Sequence, residues 1–183
     1  MEKTERKIFI TFSVILGGVF IFVCMYLAYF WLKYPLNYGD SIRLYADKFD
    51  IDPSLVASII NEESSFETNV VSNKGAVGLM QIMPRTAVFV ADMLGESIDT
   101  KTLVQSDTNI KLGTKYLDYL QDKFQDETVV LACYNAGEGV VRNWLKDTRY
   151  STDGKTLKFV PYKETREYIK NVQKGKEIYK SKL

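Results

Sequence analysis

The stretch NEESSF, residues 61–66, sets two glutamates side by side directly after the apolar run SLVASII. On a helical wheel of roughly 100° per residue with Leu55 at about 0°, the residues Ile59, Val56 and Ile60 define an apolar face centred near about 70°. Glu63 falls at roughly 80°, inside that face, and Glu62 at roughly 340°, on its edge. The spacing therefore aims Glu63 at the interior and leaves Glu62 able to reach water. Apolar surroundings disfavour an ionised carboxyl, and so does the negative end of a helix. A carboxyl that keeps its proton near neutral pH can protonate a leaving oxygen as a general acid. The structural alternative makes Glu63 a helix-terminal residue at the rim of the core, paired with a lysine.

The chain has no histidine. Ser-His-Asp triads, Cys-His pairs and the usual His-bearing zinc sites are thereby excluded. Cysteine occurs at Cys24, within an apolar run, and at Cys133, so no intramolecular disulfide can staple the rest of the chain. Its stability must come from a packed core.

The elements that would carry these residues read as helices almost throughout, with no sustained strand-like alternation. Residues 40–49 form a short amphipathic helix. Asp52 and Pro53 provide an N-cap and first-turn proline for a helix to about Ser64. A loop rich in Asn and Gly follows. Further helices are expected from PRTA to near Gly95, from Asp107 to Phe124, from Thr128 to Ala136, over EGVVRNWL, and from about Lys163 to Lys180. The fold class is all-α.

Downstream of Glu63 lie SNKGAVGLMQIMP, CYNAGEG and PYKETREYIKNV. With ESSF, these blocks in this order resemble the lytic transglycosylases of the soluble-transglycosylase type in the lysozyme-like superfamily. The resemblance covers roughly residues 40–180. It implies a helical lysozyme-like domain with a cleft that acts on the glycan strands of peptidoglycan, with Glu63 as the single acid/base. It further implies that Ser72, Gly78, Met80 and Gln81 lie along the cleft, with Met80 as an apolar wall and Gly75 and Gly78 allowing a tight turn and a close sugar. Tyr134 and Asn135 are expected at the same cavity, the Tyr134 hydroxyl donating to substrate or to Glu63. Glu164 and Tyr168 match positions that line the groove, and Arg166 is expected to pair with a carboxylate. The chain departs from the commoner pattern at Cys133, where alanine is usual; cysteine there is a small hydrophobe. Structural readings stand beside these: a glycine turn with core methionines, a buried tyrosine before a helix cap at Gly137, and Glu164 favouring a helix N-terminus.

Most glycosidases use two carboxyl groups flanking the scissile bond, and Glu62, about 100° from Glu63 on the helix, does not face it. With one acid, the resemblance implies a non-hydrolytic route. Glu63 protonates the oxygen between N-acetylmuramic acid and N-acetylglucosamine, then takes the proton of the muramyl 6-hydroxyl, which closes onto C1 as a 1,6-anhydro sugar. No metal or other cofactor enters that scheme. The alternatives are a hydrolytic muramidase, with Glu164 or another acid positioning water, and a catalytically idle glycan-binding scaffold.

Ahead of the domain, residues 8–32 are uncharged and long enough to cross a hydrocarbon layer of about 30 Å. A cleavable signal peptide is the rival; its apolar region is usually only about 7–15 residues. Lys3, Arg6 and Lys7 precede the run, against Lys33 after it, which sets residues 1–7 in the cytoplasm and the remainder outside. The expected organisation is residues 1–7 cytoplasmic, 8–32 spanning, 33–39 a linker and 40–183 the transglycosylase domain. Beyond residue 33, Asp and Glu outnumber Lys and Arg by about one, which argues against a nucleic-acid partner. The expected partners are peptidoglycan and the membrane, with a cell-wall-spanning machine as a further candidate.

Overall fold

The computed structural model describes residues 2–183; Met1, part of the expected cytoplasmic N-terminus, lies outside the described residues. The chain divides after Pro35 into two units.

The first unit is one helix, α1, Glu2–Lys33. It begins earlier than the apolar run because Glu, Lys and Arg are good helix formers and extend the ladder in front of it. It is long and apolar enough to cross a membrane. Its large apolar side chains are exposed, Trp31 and Leu32 most of all.

The second unit, residues 36–183, is helical apart from isolated bridges, Val71 with Val77 and Val77 with Ile82. Its helices are α2 Gly39–Lys48, α3 Pro53–Ser64, α4 Pro84–Met93, α5 Ser106–Lys123, α6 Glu127–Ala136, α7 Glu138–Lys146 and α8 Lys163–Tyr179. A 3-10 turn, Thr100–Val104, which the sequence pattern did not announce, precedes α5. Helix α3 starts as its sequence dictates, with the Asp52 carboxylate accepting from the amide of Ser54 and Pro53 in the first turn. Helix α6 ends at Gly137, whose φ of 91° suits glycine.

Helix α3 is the central one. Every residue from Ser54 to Ile60 is buried, on all sides rather than on one face, because α3 packs against α2 and most extensively against α8. The closest approach comes at Gly175, where a Cβ would run into Ser58; the Ser58 hydroxyl donates to the carbonyl of Val172 at 2.7 Å. Near the N-terminus of α3, Lys176 of α8 reaches Glu127 at 2.5 Å and Asp52 at 3.6 Å, tying three helices together. The last turn of α3 is thus delivered to a fixed place against α8, and Glu62 and Glu63 lie in that turn.

Candidate active site

Glu63 sits one residue before the end of α3, where the chain turns sharply through Ser65 and Phe66, both at positive φ. The next side chain, Ser64, fastens this corner: its hydroxyl contacts the carbonyls of Ile60, at 3.0 Å, and of Leu79, at 2.8 Å. Phe66, buried, packs on Tyr179 of α8 with ring centroids 6.1 Å apart. The carboxyl of Glu63 therefore projects from a backbone held by both the following loop and the last helix.

It projects into a cavity of about 450 Å³ between the end of α3, the end of α6 and the first turns of α8. The cavity is lined by Glu62 and Glu63 from α3, by Asn135 from α6, and by Glu164, Tyr168 and Asn171 among the α8 residues. Glu63 is part-buried there, as suits a side chain ringed by protein but open to a ligand. Burial is the main cause that raises its pKa from 4.5 to about 7. The Tyr168 hydroxyl opposes the rise, and the negative charges of Glu62 and Glu164 add to it. Tyr168 is only 5 % exposed, and its hydroxyl lies near enough to Glu63 to favour the carboxylate without reaching full hydrogen-bond geometry to any of the described residues. A buried hydroxyl without a full partner is a donor held ready for a ligand or for the carboxylate that proton loss creates.

Asn135 and Tyr134 end α6. The Asn135 amide oxygen accepts from Thr165 at 2.7 Å, which fixes α6 to α8 across the cavity. Tyr134 lies close enough to Glu63 for the carboxylate to push the phenol pKa upward, after the larger effect of burial. Its hydroxyl, however, donates to the main-chain carbonyl of Met80 at 2.8 Å. In place of the expected bond to Glu63, Tyr134 here supports the adjacent loop.

The loop over residues 67–83 departs furthest from expectation. Met80 is fully buried, so its side chain is a core element rather than a cleft wall; it packs against Gly113 of α5. Met83, 40 % exposed, is the methionine of this block with surface to offer. Gly78, at φ of 80°, is closely approached by the side chain of Asn109 and the carbonyl of Leu103, where a sugar was expected. The Ser72 hydroxyl accepts from the amide of Ala76 at 3.0 Å, and the Gln81 amide donates to the carbonyls of Val70 and Gly78. None of Ser72, Gly78, Met80 and Gln81 lines the cavity at Glu63. The loop is anchored from α5 by Asn109, fully buried, which accepts from the amide of Met80 at 2.7 Å and donates to the carbonyls of Val77 and Leu103 at 2.8 Å each.

Sequence reasoning also missed residues of α8. Lys163, Glu167 and Asn171 line the cavity, and the signal was available, since steps of four from Lys163 give Glu167 and Asn171 beside the Glu164–Tyr168 pair. Arg166, expected on a carboxylate, donates to the carbonyls of Val160 and Pro161 at 2.7 and 3.0 Å and so shapes the entry to α8. Glu62 lines the same cavity as Glu63 and accepts from the Asn171 amide at 2.9 Å. Among the described residues no group of three or more His, Cys, Asp or Glu side chains is arranged to hold a metal ion. The arrangement suits proton transfer to an oxygen of a polar ligand in an open cavity.

Comparison with known proteins gives a consistent result. Residues 40–157 match the family model described as the transglycosylase SLT domain. The chain is 38% identical over 145 residues to the soluble lytic murein transglycosylase of Escherichia coli K12, covering 76% of this chain and 22% of that protein. It is 29% identical over 166 residues to the membrane-bound lytic murein transglycosylase C of Actinobacillus pleuropneumoniae serotype 5b, covering 78% of this chain and 46% of that one. The solved structure of an inactive mutant of lytic transglycosylase Slt from Pseudomonas aeruginosa superposes with a TM-score of 0.73 at 34% identity, covering 82% of this chain and 25% of that one. The chain thus spans between about a fifth and a half of the length of these relatives.

Proposed function

The chain belongs to the transglycosylase SLT domain family of the lysozyme-like superfamily, and from that premise we propose that residues 40–183 cleave the glycan strands of peptidoglycan without consuming water. Glu63 is the acid and then the base. Protonated, it gives its proton to the glycosidic oxygen between N-acetylmuramic acid and N-acetylglucosamine as an oxocarbenium-like centre forms at C1. The carboxylate left behind accepts the proton of the muramyl 6-hydroxyl, whose oxygen closes onto C1 to give the 1,6-anhydro end. Both transfers use one carboxyl, and holding the hydroxyl beside C1 makes ring closure intramolecular, where effective molarities reach about 10⁵ M or more.

The observation that carries this reading is the state of Glu63: a part-buried carboxyl at a cavity, with burial raising its pKa to about 7, so that a large share keeps its proton near neutrality. Asn135, Glu164 and Tyr168, which line the same cavity, are assigned to substrate binding. The Tyr168 hydroxyl is placed to donate to the Glu63 carboxylate once the first proton has left.

A hydrolytic second reading draws support from Glu164, whose carboxylate lines the cavity and could hold a water. Mass spectrometry of muropeptides released by the full chain separates the two, because the anhydro product is lighter by one water. Anhydro ends from the wild type and none from Glu63→Gln are the expected result; hydrated reducing ends would overturn the non-hydrolytic route.

Membrane anchoring through residues 8–32, with the N-terminus cytoplasmic and the domain outside, is supported by the length and apolarity of α1 and by the cations in front of it. Resistance to alkaline extraction, with residues 36–183 accessible to protease only from outside, is the expected outcome.

A further inference from the structure

Glu62 looks dispensable from its place on the helix, one step from Glu63 and turned about 100° away. The structure gives it a defined position nonetheless. Asn171, two turns into α8, donates to Glu62 Oε1 at 2.9 Å, and the two residues line the cavity into which Glu63 projects. An exposed glutamate at a helix end ordinarily swings among rotamers in water, where its charge is screened. This one is held by an uncharged amide from another helix, so it is drawn to the cavity side without being neutralised.

We propose that Glu62, clamped by Asn171, is a positioning residue whose fixed negative charge adds to burial in holding the proton on Glu63. The proposal rests on the reading of Glu63 as the acid, and it adds what holds that acid ready. Removing a proton from Glu63 brings a second negative charge into the space that Glu62 already faces, which disfavours the ionised form.

The other groups around Glu63 act on it too. From α6 comes the phenol of Tyr134, which is neutral, and from α8 the hydroxyl of Tyr168, which favours the carboxylate and opposes Glu62; Tyr168 is unchanged when Glu62 alone is altered, so that comparison isolates the charge of Glu62. Glu164 of α8 carries the same sign as Glu62 and acts in the same direction. Lys163 is the cation among the cavity-lining residues, and its ammonium lies 3.7 Å from Glu167, which offsets it. Glu62 differs from Glu164 in being pinned, and it is therefore the charge whose position a single side chain, Asn171, controls.

The test is a carbon-13 NMR titration of the Glu63 carboxyl in the full chain in detergent micelles, assigned by its loss in Glu63→Gln. Glu62→Gln keeps an acceptor for Asn171 and removes only the charge. It should lower the Glu63 midpoint by roughly half a pH unit or more, the size expected for one charge several ångströms away in a partly aqueous setting. Asn171→Ala, which frees Glu62 and keeps its charge, should lower the midpoint by a smaller amount. The alkaline limb of the kcat/KM profile should move down in parallel with each midpoint. A Glu63 midpoint in Glu62→Gln equal to that of the wild type overturns the proposal, whatever the products are. Hydrated products with a shifted midpoint would overturn the reaction route and leave the role of Glu62 standing, so the two failures are distinct.

Discussion

The hydroxyl of Tyr134 donates to the main-chain carbonyl of Met80 at 2.8 Å, joining the end of α6 to the loop that follows Glu63. The ring also lies against Tyr116 of α5, with centroids 5.6 Å apart, so removing the hydroxyl alone leaves the packing in place. Tyr134→Phe should lower stability by about 1 kcal/mol, the net worth of one such bond, with turnover reduced less than by any change at Glu63. Thermal unfolding and muropeptide release measure the two effects. An unchanged unfolding temperature would show that the hydroxyl does not support the loop.

Glu63→Gln keeps the shape of the side chain and removes the proton that cleavage needs. Loss of a general acid reduces rates by about 10²–10⁴-fold, so anhydro products should fall to that extent or below detection while the helical circular-dichroism signal persists. Wild-type levels of anhydro product from this variant would dismiss Glu63 as the acid.

Gly113 of α5 faces the side chain of Met80, and a Cβ added there would meet Met80 from its Cβ to its terminal methyl. Alanine is the better helix former by about 1 kcal/mol. Overpacking a filled site costs about 1–3 kcal/mol, and it should win here because the clash reaches the Met80 Cβ rather than only its flexible end. Gly113→Ala is expected to unfold at a lower temperature. It should also weaken cleavage, since Met80 carries the carbonyl that Tyr134 holds.

At the α3–α8 contact a Cβ on Gly175 would strike the hydroxyl of Ser58 and approach its Cβ to 3.3 Å. Ser58→Ala removes the hydroxyl, so Gly175→Ala should be more destabilising in the wild type than in the Ser58→Ala background. The expected coupling lies within about 0.5–3 kcal/mol, read from a double-mutant cycle. Additive effects would mean that the helices separate rather than jam.

What the sequence disclosed follows from which residues act locally. Asp52 with Pro53, and Gly137, mark helix ends through their own backbone chemistry, and both ends lie where their residue types put them. The turn at Thr100–Val104 has no such period and went unseen. Asn135, Glu164 and Tyr168 gather with Glu63 because they stand on helices whose faces the pattern fixes. Ser72, Gly78, Met80 and Gln81 stand on a loop, where resemblance gives identity without direction. Asn109, which anchors that loop, acts from another helix and leaves no local mark. The wheel ranked Glu63 above Glu62 on one apolar face, whereas α3 is buried all round over its earlier turns; both glutamates reach the cavity, and their depth in it separates them.

Stability should carry the mark of Glu63 independently of catalysis. Burial raises the folded-state pKa to about 7 from an ordinary value of 4.5, so between these values the folded protein holds a proton that the unfolded chain has released. Stability therefore falls as pH rises through that window, and above it the wild type bears an ionised carboxyl in a poorly hydrated place. At about 1.4 kcal/mol per pH unit the penalty across that window comes to about 3.5 kcal/mol, an upper bound because the cavity is open to water. Glu63→Gln has no proton to lose. Its unfolding temperature should lie above that of the wild type at pH 8, and the difference should shrink toward pH 4.5. Unfolding scans of both proteins across that range give the comparison, and a gap of constant size at every pH would mean that Glu63 titrates alike in the folded and unfolded chain.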